Sequence, residues 1–177
     1  MLRAALVRPR SRKGRARRQN ARVPSTARVP ADDPAIARLT AEVLAEYAIR
    51  YDEPGDDIVP VAPDATWVVV LDDAGSAVGC GAVQPWSHTV ADAPLGAGEL
   101  KRMYVVPSAR GRGLSRALLT ALVDAARERG MTELVLETGI EQPEAIGLYE
   151  SSGFVPMPLF GPYAGDPRSR CFRLALT

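Results

Sequence analysis

The sequence predicts an α/β protein of the α+β type, built on a mixed and mostly antiparallel sheet. Thr66–Leu71 and residues 77–86 are two apolar runs, and the turn-forming residues 72–75 separate them. Such a pair predicts an antiparallel hairpin. Residues 113–129 have apolar side chains at helical spacing, and residues 132–138 form the next apolar run. One strand–helix–strand crossover after antiparallel strands is typical of a mixed sheet and not of a doubly wound repeat.

A short strand and one helix are predicted before the hairpin. The strand covers residues 28–30. Asp33 is suited to cap the helix, and Pro34 to occupy its first position, because the first turn leaves its N–H groups unpaired. Apolar residues at helical spacing support this helix, namely Ile36, Leu39, Val43, Leu44 and Tyr47. Residues 51–64 are acidic and contain Gly and Pro, and we predict an irregular loop there.

The elements after the hairpin complete the predicted sheet. Residues 99–106 form an apolar run that Pro107 ends, which predicts a strand. A short helix over residues 143–151 begins with a proline. Two further strands, over residues 154–157 and 171–176, close the fold and are joined by a loop rich in Gly and Pro.

Length and composition restrict the class of protein. A chain of 177 residues with 46% apolar residues favours one domain with a hydrophobic core. No apolar run approaches the roughly 18 residues that span a bilayer, so no membrane helix is expected. Cys80 and Cys171 lie far apart and form no CxxC, and with one histidine, His88, they cannot supply a Cys/His zinc site. We expect reduced core thiols and no metal site.

Positive charge is concentrated at the N-terminus. The first 30 residues hold ten Lys and Arg residues and no acid, which leaves 12 basic against 21 acidic residues in the remainder. We predict that residues 1–26 are a disordered Arg-rich extension and that residues 27–177 form a single domain. Three interpretations of the extension stay open. It could bind an anionic partner, act as an organelle transit peptide, or have no function. It holds no aromatic residue to stack on bases, so nucleic acid is expected to bind only non-specifically.

The most informative stretch is residues 105–115, where a strand ends, Gly111 and Gly113 follow, and a helix begins. A helix N-terminus with closely approachable backbone suits a phosphate or pyrophosphate, and Arg110 and Arg112 add positive charge. An ordinary loop with a glycine N-cap is the alternative. A P-loop is excluded because no Gly-Lys-Ser/Thr follows, and a dinucleotide fingerprint is disfavoured because an arginine replaces its third glycine.

This loop resembles the acyl-CoA pyrophosphate loop of the GNAT N-acetyltransferase superfamily, Q/R-x-x-G-x-G/A. Ser115 stands where the family has Gly or Ala. Downstream, residues 145–154, AIGLYESSGF, are similar to the family's A-x-x-L-Y-E-x-x-G-F, although Gln142 stands where the family usually has Asn. The order of the predicted elements also matches the family fold, and the resemblance covers residues 27–177.

The resemblance implies how the co-substrate acetyl-CoA would bind. The fold would be a GNAT-like sheet, flanked by helices, with a central splay that separates residues 103–105 from residues 132–138. The pantetheine arm would pair with the backbone of Met103 and Val105. The pyrophosphate would be held by the amides of the loop, which belong to Arg110, Gly111, Arg112, Gly113, Leu114 and Ser115.

The resemblance also implies two catalytic residues. Tyr149 would protonate the departing thiolate, and Glu99, at the start of a strand, would act as general base. Elementary chemistry supports these role types, since an amine is mostly an ammonium at neutral pH and must lose a proton before it attacks a thioester. The open alternatives are Glu137 or His88 as the base, a solvated Glu99, and a Tyr149 that serves only the core. Cys80 is expected to be a core residue rather than a nucleophile.

The function that follows from the resemblance is transfer of an acetyl group from acetyl-CoA to a primary amine of a small molecule or amino acid. A non-catalytic acyl-CoA-binding module and a protein or peptide N-acetyltransferase are the alternatives. We expect a cytoplasmic enzyme with no membrane association, and a homodimer stays open because some members of the family pair.

The acceptor site is less defined by the sequence. The segments that remain to bind the acceptor are the helix and acidic loop around Tyr47 and the loops at residues 86–98 and 160–170. Acidic residues there could attract an amine, and a carboxylate of the acceptor could pair with a basic residue, namely Arg50, Lys101 or Arg168.

Overall fold

The computed structural model describes residues 24–52 and 59–176 of the chain. Within these ranges the chain forms one seven-stranded sheet and three α-helices. The strands are β1 Ser25–Val29, β2 Thr66–Leu71, β3 Ala77–Pro85, β4 Ala97–Val105, β5 Glu133–Gly139, β6 Val155–Met157 and β7 Ser169–Ala175, and the helices are α1 Pro34–Tyr51, α2 Leu114–Glu128 and α3 Pro143–Glu150. The predicted mixed α/β fold is confirmed. The predicted disorder of the N-terminal extension falls, up to residue 23, outside the described residues.

The strands lie in the order β1-β2-β3-β4-β5-β7-β6 across the sheet. The β4–β5 pair is parallel, and every other pair of neighbouring strands is antiparallel. β2 and β3 form the predicted hairpin. β1 begins at Ser25, earlier than predicted, because it pairs with β2 over its whole length. β3 ends at Pro85, one residue earlier than predicted, because proline has no N–H to continue the ladder.

Helices cover both faces of the sheet. Side chains alternate along β2, so that Val68 and Val70 pack on the side of α2, whereas Trp67 and Val69 pack on the side of α1. A strand that is buried on both faces is apolar throughout, which explains the continuous apolar run in the sequence. α1 begins as predicted, since the side chain of Asp33 accepts a first-turn N–H at 2.8 Å.

β4 and β5 separate in the middle of the sheet. In the described chain they pair at three positions, from Ala97 with Glu133 to Glu99 with Val135. Beyond Glu99 the two strands diverge, while β4 stays paired with β3 on its other side. The predicted splay is therefore confirmed, and it leaves one side of the backbone of residues 100–105 without a neighbouring strand.

A β-bulge interrupts β4 at Arg102. Cys80 of β3 pairs with Tyr104, and Ala82 pairs with Lys101. Between these two pairs β3 advances by two residues and β4 by three, so β4 carries one extra residue. Arg102 has a φ of 55°, a left-handed conformation that is uncommon for residues other than glycine. A bulge changes the direction in which the side chains of a strand point, so this one changes which side chains of β4 reach the splay.

Gly79 lies in β3 where a β-carbon would be 2.5 Å from the carbonyl oxygen of Tyr104. Because backbone blocks this position, Gly79→Ala is expected to lower the free energy of unfolding by about 1–3 kcal/mol. Gly147 in α3 is the matched control, since nothing lies within 4 Å of its β-carbon position. Gly147→Ala is expected to raise the free energy of unfolding by about 0.5–1 kcal/mol. Denaturant titration measures both changes, and equal stabilities would contradict the close approach of β4 to Gly79.

Candidate active site

The loop between β4 and α2 is fixed by the side chain of Arg110. Its Nε donates to the carbonyl oxygen of Val105 at 2.8 Å, and its Nη2 pairs with Glu46 of α1 at 2.5 Å. The guanidinium also lies 5.7 Å from the ring centroid of Tyr104. Burial opposes ionisation of Glu46, but the pairs with Arg110 and Arg50 hold the pKa of this carboxyl below its ordinary value. Arg110 therefore ties the loop to α1, and its charge already has a partner.

The backbone of the same loop is open. Gly111 and Gly113 have φ angles of 74° and 77°, and nothing lies within 4 Å of either β-carbon position. Glycine adopts such angles without steric cost. Gly113 is the N-cap of α2, so the N–H groups of Leu114 and Ser115 in the first turn have no acceptor within the helix. The loop thus combines free amides with the positive end of a helix, an arrangement that attracts anions.

Two other arginines near the loop already have partners. Arg112 pairs with Asp73 at 3.1 Å on the surface. Arg50 pairs with Glu46 at 2.8 Å and also with Glu144. Arg50 was one of the residues expected to meet a carboxylate of the acceptor, but in the structure it joins α1 to α3.

Two cavities flank the splay. The first, which we call the loop cavity, has a volume of about 210 Å³ and is lined by the loop residues Arg110, Gly111, Leu114 and Ser115 together with parts of α1, β4 and α3. The second, which we call the splay cavity, has a volume of about 460 Å³ and is lined by β4, β5 and the segment before β7. Four residues line both cavities, namely Tyr47, Met103, Gln142 and Tyr149. The two cavities therefore meet within the splay, at Met103 of β4.

Tyr149 lies on α3 at this junction and is 5% exposed. Its ring packs edge-on against Phe154 with the centroids 5.7 Å apart, and at a tilt against Phe172 at 6.3 Å. Burial raises the pKa of Tyr149 above its ordinary value, so the phenol keeps its proton at neutral pH. The predicted acid is both a core aromatic residue and part of the wall of the two cavities.

Glu99 lies in the splay cavity at the last paired position of β4, and its side chain is fully buried. It accepts hydrogen bonds from Gln84 Nε2 at 3.1 Å, from Lys101 Nζ at 3.2 Å and from the Thr89 hydroxyl. Lys101 also donates to the Tyr163 hydroxyl at 2.8 Å. Glu99 is therefore not the solvated carboxylate that was the alternative interpretation, but one half of a buried ion pair.

Glu137 lies on β5 and lines the same cavity as Glu99. The Ser169 hydroxyl donates to its carboxylate at 2.7 Å. Burial raises the pKa of Glu137 above its ordinary value, although this hydrogen bond opposes the shift. The structure thus brings together both carboxylates that the sequence offered as the base, one held by a lysine and one that binds a proton more readily than an ordinary glutamate.

Arg102 also lines the splay cavity, although it is not among the site residues predicted from the sequence. Strict alternation along β4 would place Lys101 and Arg102 on opposite faces, and only the bulge lets both reach one cavity. The available signal was two consecutive cations inside an apolar strand.

The remaining candidates lie away from both cavities. His88 pairs with Asp64 at 3.0 Å on the surface and lines neither cavity. Cys80 and Cys171 are buried free thiols, and burial raises their pKa values to about 12 and about 11. Among the described residues, no group of three His, Cys, Asp or Glu could hold a metal ion. No helix in this part of the chain is long and apolar enough to cross a membrane.

A glycine loop at a helix N-terminus, a splayed sheet and a buried tyrosine are the features that the resemblance implied for a co-substrate site. The model of the acetyltransferase (GNAT) family matches residues 36–154. The chain therefore belongs to the GNAT acetyltransferase family, which confirms the resemblance found in the sequence. The enzyme class predicted from the sequence, an acyltransferase, is the class of this family.

Two curated relatives are named as acetyltransferases. The IAA acetyltransferase of Azospirillum brasilense is 43% identical over 107 residues, which are 60% of this chain and 65% of that protein. The match thus spans slightly less than two thirds of that relative. The uncharacterised N-acetyltransferase YjgM of Escherichia coli K12 is 37% identical over 133 residues, which are 70% of this chain and 76% of that protein.

Solved structures share the fold. A candidate acyl-CoA N-acyltransferase from Klebsiella pneumoniae superimposes with a TM-score of 0.74 at 32% identity, covering 89% of this chain and 100% of that chain. The candidate acetyltransferase yncA from Salmonella typhimurium, solved with acetyl-CoA, has a TM-score of 0.59 at 21% identity, covering 87% and 94%. The second likeness concerns the fold alone.

Proposed function

We propose that the chain transfers the acetyl group of acetyl-CoA to a primary amine of a small molecule or amino acid. The observation that carries this function is the meeting of the loop cavity and the splay cavity at Met103 and Tyr149. A donor that lies along the loop and an acceptor that lies in the splay cavity can touch at this junction. When bound, acetyl-CoA supplies an acetyl group already activated as a thioester, so no covalent enzyme intermediate is required.

The residues of the loop cavity fit such a donor. The amides of Arg110, Gly111, Arg112, Gly113, Leu114 and Ser115 are proposed to hold the pyrophosphate, and no side chain at Gly111 or Gly113 obstructs its approach. The N–H of Arg110 donates to the carbonyl oxygen of Pro107 at 3.3 Å and would have to exchange this bond for one to the pyrophosphate. The splay leaves Met103 and Val105 without a partner strand on the side of β5, although the carbonyl oxygen of Val105 already accepts from Arg110 Nε. Backbone groups of Met103 and the N–H of Val105 are proposed to pair with the pantetheine arm. Arg110 is proposed to hold the loop in shape through Glu46.

The proposed transfer moves two protons. The ammonium of the acceptor first gives a proton to a carboxylate of the splay cavity, and the free amine then attacks the acetyl carbon. The new C–N bond forms as the C–S bond breaks, and the electron pair of that bond leaves with sulfur. Tyr149 is proposed to donate the phenolic proton to the departing thiolate. The phenol is then restored by a proton that the acetylated nitrogen gives up.

Glu99 and Glu137 are the two carboxylates that can take the first proton. Glu99 is the base that the family resemblance implies, but its carboxylate already accepts hydrogen bonds from Gln84, Thr89 and Lys101. Burial raises the pKa of Glu137 above its ordinary value, which favours it as a proton acceptor. We propose Glu99 as the base with Glu137 as the alternative, and the two carboxamide variants compared in the Discussion distinguish them.

The first test is thermal unfolding of the full chain with acetyl-CoA, CoA, NAD or NADP. A ligand at about 100 times its Kd adds roughly 2.7 kcal/mol of stability, which raises the Tm of a domain of this size by about 5–10 °C. We expect this rise with acetyl-CoA and CoA only. A panel of amines, amino acids and IAA, with detection of the released thiol, then measures transfer.

Two outcomes would contradict the proposed function. A rise in Tm with NAD or NADP would show that the glycine loop does not hold acyl-CoA. The absence of a rise with all four ligands would show the same. A rise with CoA and acetyl-CoA but no thiol release with any acceptor, peptides included, would favour a non-catalytic acyl-CoA-binding module. Release with peptides alone would favour a peptide N-acetyltransferase. The cytoplasmic location and a homodimer stay predictions.

A further inference from the structure

Arg102 is a half-buried arginine in the splay cavity with few contacts to the protein. Its Nη2 donates to the carbonyl oxygen of Val59 at 3.0 Å. A guanidinium carries five N–H donors, so this single contact leaves most of them for another acceptor. Among the residues that the structure describes, no carboxylate lies within ion-pair distance of Arg102.

The other basic side chains beside the two cavities differ from Arg102 in this respect. Arg50 and Arg110 both pair with Glu46, Lys101 pairs with Glu99, and Arg168 pairs with Asp166. Burial lowers the pKa of Arg102 below its ordinary value, and nearby groups, Glu99 among them, oppose this shift only in part. An anion that enters the splay cavity would restore this missing interaction.

The position of Arg102 bears on where such an anion would lie. Arg102 precedes Met103, the residue of β4 that borders both cavities, and Arg102 itself lines the splay cavity. An anion on the guanidinium is therefore held in the acceptor's cavity and close to the junction with the donor's cavity. Glu99 and Glu137 line the same cavity and carry the opposite charge, which suits an ammonium.

We infer that Arg102 binds a carboxylate of the acceptor, and that the acceptors are amines with a carboxylate near the amino group, amino acids foremost. A planar guanidinium and a carboxylate form two parallel hydrogen bonds, which fix the acceptor's orientation as well as its position. The amino group is then held between this anchor and the carboxylates that take its proton. This assignment rests on the proposed acetyl transfer and names the substrate class of that site.

The test compares amino acids with the amines that lack their carboxylate, such as L-phenylalanine with phenethylamine and L-methionine with 3-(methylthio)propylamine. An α-ammonium is more acidic than a simple alkylammonium, so the wild-type preference alone is not diagnostic. The diagnostic result is the change on substitution. Arg102→Gln is expected to lower kcat/KM for the amino acids by roughly 10- to 100-fold and to leave kcat/KM for the matched amines within about threefold.

Two further variants of the full chain keep this test decisive. Arg102→Asn also removes the guanidinium and suits a left-handed backbone, so it serves if Arg102→Gln is poorly folded. Arg127→Gln removes a cation from the exposed face of α2, where it pairs with Asp124, and is expected to change neither substrate class. The KM for acetyl-CoA should stay unchanged in all three variants.

The inference would be overturned if Arg102→Gln lowered kcat/KM for amino acids and amines by the same factor. Absence of transfer to any amine by the wild type would instead refute the proposed function. In that case calorimetric titration of the CoA-loaded chain with L-phenylalanine and L-methionine still tests whether Arg102 binds a carboxylate. Binding that Arg102→Gln abolishes supports the carboxylate site, and binding that is absent or indifferent to the substitution refutes it.

Discussion

Tyr149→Phe is expected to lower kcat by roughly 100- to 10,000-fold, the range that loss of a positioned proton donor gives. The ring lies among Phe154 and Phe172 and fills the core between α3 and the sheet. Phenylalanine keeps this packing, so the Tm and the KM for acetyl-CoA should change little. The variant therefore separates the chemical role of the hydroxyl from the structural role of the ring.

The pH dependence of the wild type gives a second sign of the same role. Burial raises the pKa of Tyr149, so the phenol that donates the proton persists well above neutral pH. Activity is therefore expected to rise as the acceptor amine loses its proton and not to fall through ionisation of Tyr149 up to about pH 10. A steady-state pH profile with one amine measures this.

Tyr47→Phe is the comparison variant. Tyr47 borders the same two cavities, and burial raises its pKa to about 12, but no proton transfer is assigned to it. We expect its kcat to fall by less than about tenfold, as for a residue that only shapes the cavity. Equal kcat values for Tyr149→Phe and the wild type, within about threefold, would remove Tyr149 from the proposed mechanism.

Most elements of the fold could be predicted because their signals are local. Asp33 and Pro34 mark the start of α1, Pro107 follows the end of β4, and Thr66–Leu71 is bounded by turn residues. The glycine loop could be predicted as an anion site for the same reason, since its shape depends on neighbouring residues. The splay between β4 and β5 followed from the family resemblance, because nothing in either strand's own sequence marks it.

The contents of the splay cavity could not be predicted, because they depend on contacts between distant segments. The bulge at Arg102 carries no glycine or proline, so two-residue alternation wrongly separates Arg102 from Lys101. The donors to Glu99 come from Gln84 on β3 and Thr89 after it, and this pairing depends on the register of the sheet. Glu99, for which the sequence left a solvated carboxylate open as the alternative to the base, is therefore buried and paired.

Glu99→Gln is expected to lower the free energy of unfolding by about 3–5 kcal/mol, because it leaves a buried cation without its partner. Glu99 is 0% exposed and Lys101 is 5% exposed at the side chain, with 3.2 Å between them. For a domain of this size the loss corresponds to a fall in Tm of about 6–20 °C. Thermal unfolding measures it directly.

Two companion variants separate the ion pair from other effects. Glu99→Gln combined with Lys101→Met removes both charges and is expected to recover a large part of the lost stability. Glu137→Gln removes the other buried carboxylate of the cavity. Because burial raises the pKa of Glu137, its charged form opposes folding at neutral pH, so this variant should be at least as stable as the wild type.

The pH dependence of stability follows from Lys101, whose pKa is lowered by burial and held up in part by Glu99. Without Glu99 the pKa of Lys101 falls further, so the unfolded state binds more protons than the folded state between that value and about 10.4. The Tm of Glu99→Gln should therefore rise as the pH is raised from 7 to 10, more steeply than the Tm of the wild type.

Kinetics below the Tm of each variant then assign the base. If Glu99 takes the proton, Glu99→Gln lowers kcat by roughly 100-fold or more at a temperature where it is fully folded, and Glu137→Gln lowers it far less. The reverse order would make Glu137 the base and leave Glu99 as the residue that holds Lys101 and Tyr163 in place. A Glu99→Gln variant as stable as the wild type, with a flat pH dependence, would contradict the buried ion pair itself.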